Sequence, residues 1–495
     1  MKRGILLLIA LVVVALWCFP AMGQATGQED RLKALEDKIQ ALQNELEEVK
    51  KEAVQAKEAA QAKEAVQAKE AAEVTKETFQ GKKVTPAYSF WKNDFFLSTE
   101  DEEFWMKIRG NLHFDTKFYG GNSANPTAFD IRRVRMDFQG MWYDYIYFRI
   151  QAEFADSPYI RNAWVDYKFR DWLHLRGGQM KPPFSTSWWT TDNNVNFMER
   201  GGGKPIYSGF DRGWWIWGDV LDNTLAWNIS TWTGTGTEKD DPKGDINDYK
   251  DWVARLFYSP FKNQDDSVVQ GLHLCVEGSL GKQTGRTKAF EGQGKGYSAA
   301  IRDDKYWTWV DGLTDETIDS RDRWGAELHY ILGPLSMSSE YLVCKYSDIE
   351  YVADGGKVSA DGNIVSWSTW VAYFLTGEQK RVSNFGWKYP SPKNDFDPVH
   401  FDGTGAWEVL ARYTSTKTSK ALFQRGILDG ADRVDEYTLG LSWTWNPLIR
   451  WQFNYVHLSG RGILTGWVDK NNSNDPGTKR VDHEDMFGIR MIFKF

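Results

Sequence analysis

From Phe104 to Phe495 the chain alternates large apolar and polar side chains with a period of two. That is the period of a β-strand, in which successive side chains point to opposite faces. In the last run, "EDMFGIRMIFKF", Phe487, Ile489, Met491, Phe493 and Phe495 share one face, and Met486, Gly488, Arg490, Ile492 and Lys494 share the other. One such strand fits a soluble half-buried sheet or a strand with lipid on one side and a watery lumen on the other. What fills the polar face decides between them. In "FWMKIRGNLHFDTKFY", Phe104, Met106, Ile108, Leu112, Phe114 and Phe118 oppose Trp105, Lys107, Arg109, Asn111, His113, Asp115 and Lys117. "YIYFRIQAEFA", "YTLGLSWTW" and "IRWQFNY" divide in the same way. A soluble sandwich must cover each apolar face with a second sheet. Here long charged groups recur on the polar face while aromatics crowd the apolar one near the strand ends. Roughly sixteen segments follow this pattern, each near the 9–11 residues that a tilted strand needs to cross a bilayer.

Composition supports this reading. Aromatic residues make up 15 % of the chain, with 25 Trp, 21 Tyr and 28 Phe, yet the mean hydropathy is −0.54. Aromatic belts at two membrane interfaces around a polar interior reconcile the two values. The net charge of −8 excludes the basic balance of a nucleic-acid-binding domain. Short turns near Asp144, at Gly333-Pro334 and at Asn446-Pro447 alternate with long polar insertions over Thr233–Tyr249, Lys282–Ser320, Glu378–Gly403 and Gly460–Asp482. Short turns at one end and long loops at the other are expected of an outer-membrane barrel. The expected fold is an all-β transmembrane barrel of about 16 antiparallel strands over residues 104–495. Its last strand closes on its first, and Phe495 serves as the mark read by the barrel assembly machinery.

The N-terminal part differs. Lys2 and Arg3 precede an apolar run from Gly4 to Trp17, followed by Ala21-Met22-Gly23, the layout of a secretory signal over residues 1–23. Leu32, Leu35, Ile39, Leu42, Leu46, Val49 and Ala53 follow alternating steps of three and four, the seam of a parallel α-helical coiled coil. The near-repeats "VQAKEA", "AQAKEA" and "VQAKEA" that come next keep helix propensity with a weaker seam. A periplasmic rod over 24–78 and a linker over 79–103 are expected. Cys275 and Cys344 are too few and too far apart for a disulfide framework or a zinc site. Neither a metal nor a cofactor is expected.

Several runs carry a family resemblance: "FDIRRVRMDFQG", "LRGGQMKPPFS", "NFMERG", "YFLTGE", "GAWEVLARY" and "WTWNPLIRWQFNYVH". In order and spacing they resemble the phosphate-selective porin O and P family, trimeric anion channels of Gram-negative outer membranes. The resemblance implies an arginine ladder leading to a constriction. By motif, Arg132 and Arg133 match a paired arginine there, Arg200 an arginine on an inward-folded segment, and Lys107 a lysine of the first strand. On a regular strand neighbours point apart, so Arg132 and Arg133 can both face a pore only near a rim or a bulge. Asn111 stands where the family carries arginine, with Arg109 two residues earlier on the same face. Asp192 and Asn193 replace a Ser-Lys pair, and a carboxylate there is expected to oppose phosphate.

A pore needs lumen-facing charges that bind ions weakly enough to release them. The candidates are Lys107, Arg109, Arg132, Arg133, Arg135, Arg149, Arg176 and Arg200, with Lys168 and Lys181 beside them and Asn111, Asp192 and Asn193 modifying selectivity. Asp137, Glu153 and Asp166 on facing strands are expected to pair with some of them. The expected function is passive diffusion of small hydrophilic solutes, anions such as phosphate, through a homotrimer in outer-membrane lipid. The alternative is a general or cation-preferring porin whose coiled coil also tethers the membrane to peptidoglycan. An enzyme is not expected, because the seven His are scattered and neither G-x-S-x-G nor H-E-x-x-H occurs.

Overall fold

The structure is a computed structural model. It describes residues 87–495 apart from 92–93, 122, 156–157, 202, 235–247, 265–267, 283–300, 302–303, 310–313, 354–355 and 466–478. Ahead of residue 87 it describes only Gln40, Asn44 and Lys51, so the expected signal and the seam of the expected coiled coil lie outside the described residues.

Sixteen strands form the barrel. The first eight are β1 (Phe104–Tyr119), β2 (Ala128–Trp142), β3 (Ile146–Glu153), β4 (Tyr159–Arg170), β5 (Leu173–Met180), β6 (Asp211–Val220), β7 (Leu225–Trp232) and β8 (Asp251–Tyr258). The second eight are β9 (Leu272–Gly281), β10 (Ser320–Leu332), β11 (Leu335–Ala353), β12 (Gly356–Phe374), β13 (Ala406–Thr418), β14 (Arg433–Thr444), β15 (Ile449–Thr465) and β16 (Lys479–Lys494). Each pairs antiparallel with the next, and β16 returns to β1 from Met486↔Tyr119 to Lys494↔Asn111, so the ring of sixteen strands is closed. Phe495 seals the seam: its N–H donates to the Gly110 carbonyl (3.1 Å) and its own carbonyl accepts from the Gly110 N–H (2.7 Å). The Phe495 ring lies over Gly110, where any Cβ would collide with it. Within the expected linker, Ala87–Trp91 and Phe95–Thr99 form a hairpin that pairs with β1 below the reach of β16, through Phe95↔Ile108 to Ser98↔Trp105.

The side chains sort as the alternation predicts, and the burial order of a soluble protein is inverted. Along β8 every second residue of Asp251, Val253, Arg255 and Phe257 is buried, while Trp252, Ala254, Leu256 and Tyr258 are exposed. Arg255, Arg450 and Arg490 are buried inside the ring, whereas Trp214 and Leu439 are 60 % and 61 % exposed on its outside. An apolar outer band with charges inside is stable only where lipid covers the band. Trp407, Trp443, Trp445 and Trp451 pack ring against ring near one rim, the position of an interfacial aromatic belt. No helix among the described residues is long and apolar enough to cross a membrane.

β1 begins and β16 finishes at the same end of the barrel, called here the terminal end. The short turns 143–145, 171–172, 221–224, 333–334 and 445–448 also lie there, as expected. The connections containing Thr233–Tyr249 and Lys282–Ser320 lie at the far end. One expectation fails. Glu378–Gly403, expected among the long far-end loops, follows β12 and therefore lies at the terminal end. It turns inward as a small hairpin, Arg381–Ser383 against Gly386–Lys388. Its polar and aromatic residues find partners inside the lumen: Asn384 Nδ2 donates to Asn228 (3.2 Å), and Trp387 packs on Trp370 with centroids 4.8 Å apart. Composition could not distinguish a loop wetted by solvent from one wetted by a lumen.

Candidate functional site: the lumen constriction

The segment between β5 and β6, residues 181–210, folds into the lumen and is fastened to two walls. Pro182 and Pro183 stop β5, and Ser185, at φ 65°, caps a one-turn helix, α1 (Thr186–Trp189). Three backbone N–H groups of this turn reach wall carboxylates: Ser185 to Glu277 (2.9 Å), Thr186 to Glu327 (2.9 Å) and Ser187 to Glu340 (2.8 Å). Arg255 lies between Glu277 (2.5 Å) and Glu327 (3.3 Å) and supplies their cation. Cys275 stands beside these carboxylates; it and Cys344 are free and buried. On a second arc of the wall, β13 and β15, Asn454 accepts from the Met198 N–H (2.7 Å), Gln452 donates to the Asn196 carbonyl (2.8 Å) and Arg412 to the Glu199 carbonyl (2.8 Å). Lys380, from the terminal-end loop, donates to Asn196 Oδ1 (2.6 Å) and pairs with Glu408.

Where this segment meets β1–β4, six guanidiniums and four carboxylates gather in one cluster as two adjoining ion-paired groups. Asp192 accepts from Arg200 (2.5 Å) and Arg135 and lies 3.3 Å from the Arg133 guanidinium as an ion pair. Glu153 accepts from Arg135 (2.7 Å) and lies 3.6 Å from the Arg161 Nε, an ion pair without a hydrogen bond. Glu199 accepts from Arg132 (2.8 Å) and Arg490 (3.0 Å), and Arg490 also binds Asp115 (2.6 Å). The cluster therefore carries an excess of two positive charges. Burial alone would raise the Asp192 carboxyl, but Arg133, Arg135 and Arg200 outweigh it and hold it well below the usual carboxylate range. Glu199 is held low in the same way, with Arg132 and Arg490 opposing burial. Lys181, over the Trp188 ring at 4.4 Å, is pushed well below its ordinary value by burial and then by Arg200. The fixed positive charge of the cluster thus rests on arginine.

Two of these arginines arrive through bulges. His113 pairs with Arg133 and Phe114 with Ile131, so Arg132 is the extra residue of β2. Gln151 pairs with Asn162 and Ala152 with Ile160, so Arg161 is the extra residue of β4. A bulge breaks the alternation for one residue and lets consecutive side chains share a face. It is how Arg132 and Arg133 both face the lumen.

The cluster separates two cavities. A small one of about 90 Å³ is lined by Arg132, Arg133, Arg135, Arg161 and Arg200. A larger one of about 640 Å³ opens on the terminal-end side and is lined by Lys107, Arg109, Arg149, Arg176, Asn111 and Asn193, among others. Arg109 and Arg149 both bind Asp137 (2.9 and 2.8 Å), and Arg176 binds Asp166 (2.8 Å). Asn193 bonds His113 (2.8 Å). All eight basic candidates therefore face the lumen, in two adjoining groups that share Arg135. Lys168 stands apart, paired with Asp171 (2.7 Å) beside another cavity of about 650 Å³. Sequence reasoning passed over Arg161, Arg490, Glu199 and Lys380. Arg490 sits on the polar face of its strand and could have been included; Arg161 breaks the alternation and left no local signal.

With this geometry in place, a family model described as phosphate-selective porin O and P matches residues 106–495. The chain belongs to this family. It is a porin, a channel of the Gram-negative outer membrane. Its relatives include Porin O of Pseudomonas aeruginosa, 22 % identical over 414 residues that cover 78 % of this chain and 89 % of the relative. Among solved structures, the fold is similar to OmpT of Vibrio cholerae (12 % identity, 79 % of this chain and 98 % of that chain, TM-score 0.46). It is also similar to OprB of Pseudomonas putida (9 % identity, 80 % and 95 %, TM-score 0.48).

Proposed function

We propose that this porin conducts small hydrophilic anions, phosphate among them, by passive diffusion past the arginine cluster. The supporting observation is the excess of guanidinium over carboxylate where the inward segment meets β1–β4. In a narrow lumen with low-dielectric walls such an excess is felt more strongly than in bulk water. Arg132, Arg133, Arg135 and Arg200 act at the constriction, and Lys107, Arg109, Arg149 and Arg176 draw anions through the vestibule. Asp192, answered by three arginines, spaces those guanidiniums and keeps any one of them from holding an anion too long. Asn111 and Asn193 add neutral hydrogen-bonding groups beside them. Residues 1–23 act as the export signal, 24–78 as a periplasmic coiled-coil rod and 79–103 as its connection to the barrel; the barrel works as a homotrimer. Reversal potentials in planar bilayers under a KCl gradient, repeated with added phosphate, test the reading. Chloride-favouring potentials with block by millimolar-scale phosphate are expected; cation preference without block refutes it.

A further inference from the structure

We propose that the vestibule on the terminal-end side of the constriction contains a subsite for anions that carry an aromatic ring, such as benzoate-type carboxylates. This rests on the anion-conducting reading and names a solute class within it. The observation is a set of aromatic rings set among the cations. Phe385, in the turn of the inward hairpin, is 38 % exposed and lines the cavity of about 640 Å³. The ring packs on Trp217 and Trp215, centroids 5.0 and 6.0 Å apart, and the part left exposed opens to a water-filled lumen and not to lipid, where a further ring can meet it. Trp189 stands 5.6 Å from it, centroid to centroid, and Trp164 contributes a further half-buried ring to the same cavity.

The cation lies alongside. The Arg176 guanidinium is held between the rings of Trp164 (4.0 Å) and Trp215 (4.4 Å), and its Nε donates to Asp166 (2.8 Å). Stacking and this bond fix its plane, and it is 6.0 Å from the Phe385 centroid. Lys388, exposed and on the second strand of the same hairpin, lines the cavity too. A planar anion of benzoate size can therefore meet a guanidinium or ammonium with its carboxylate and an aromatic face with its ring. Inorganic phosphate or acetate uses the charge alone. One or two ring contacts in an offset or edge-to-face arrangement imply binding about tenfold tighter than that of a ringless carboxylate.

The test uses the full chain in planar bilayers carrying KCl current. Benzoate, acetate and inorganic phosphate are each titrated, and the concentration that halves the chloride current is read. Benzoate is expected to act at about one-tenth of the acetate concentration. Phe385→Ser, at a lumen-exposed position, is expected to raise the benzoate value about fivefold and to leave the acetate value in place. Equal benzoate and acetate values in the unaltered protein overturn the proposal. So does a Phe385→Ser variant that moves both values together, since that reports a displaced hairpin. The reversal potential of the same bilayers separates the two levels. Cation preference removes the anion reading and the subsite with it, whereas anion preference with equal values removes the subsite alone.

Discussion

Removing the two bulged arginines, as Arg132→Ala with Arg161→Ala, takes positive charge from the constriction without stranding a carboxylate. Glu199 keeps Arg490 at 3.0 Å, and Glu153 keeps Arg135 at 2.7 Å. The barrel seam and the attachments of α1 are untouched, because neither arginine takes part in them. For an anion on the pore axis about 7 Å from one guanidinium, Coulomb's law gives about 0.6 to 2.4 kcal/mol for an effective dielectric between about 80 and 20. That corresponds to about 3- to 50-fold in anion occupancy for each arginine lost. The assay is the reversal potential of single and double variants under a KCl gradient, repeated at high salt, where screening shrinks the effect. Arg132→Lys, which keeps the charge, is expected to stay near the unaltered value. A double variant whose anion-to-cation permeability ratio changes less than about twofold would show that the bulged arginines do not set selectivity, and the electrostatic argument would fail.

Deleting Arg381–Lys388 with a short Gly-Ser bridge is expected to raise single-channel conductance, because that hairpin lies inside the lumen; unchanged conductance would place it elsewhere. Glu340→Ala strips acceptors from the Ser187 N–H and the Ser185 hydroxyl, a loss of about 1–3 kcal/mol per buried donor. It is expected to appear as added open-channel current noise, and a quiet trace would mean the other attachments suffice. The Asp192 carboxyl is depressed in the folded protein, so its stabilisation is complete above its unfolded value and is lost only as pH falls through the depressed one. Asp192 should therefore stay ionised and anion preference stay level from about pH 7 to about pH 4; a rise in anion preference already above about pH 5, which a protonated Asp192 would give, would contradict the pairing.

The strands were readable because lipid and lumen impose opposite surroundings on alternate residues, and β8 and the centre of β16 alternate regularly in exposure, although Val253, Phe257, Met486 and Ile492 are apolar residues on the lumen side. Most of the lumen's arginines were readable for the same reason. Arg161 was not, since a bulge is a choice of register between two strands and no single strand encodes it. The inward course of residues 375–405 was also hidden: Lys380 is an ordinary loop lysine until Glu408 and Asn196 arrive from distant parts of the chain. Asp192 illustrates a third limit. Its charge was plain in the sequence, whereas the three guanidiniums that answer it come from β2 and from the far side of its own loop.

The inward segment is bonded to Glu277, Glu327 and Glu340 on one arc of the ring and to Asn454, Gln452 and Arg412 on another. Mechanically it is a tie rod across a hoop. A hollow cylinder squeezed by its surroundings ovalises before it buckles, and a chord fastened at both ends resists that first deformation. Bilayer tension and thickness should thus leave the aperture of this porin nearly constant, and its throughput should follow solute concentration instead of the state of the surrounding lipid.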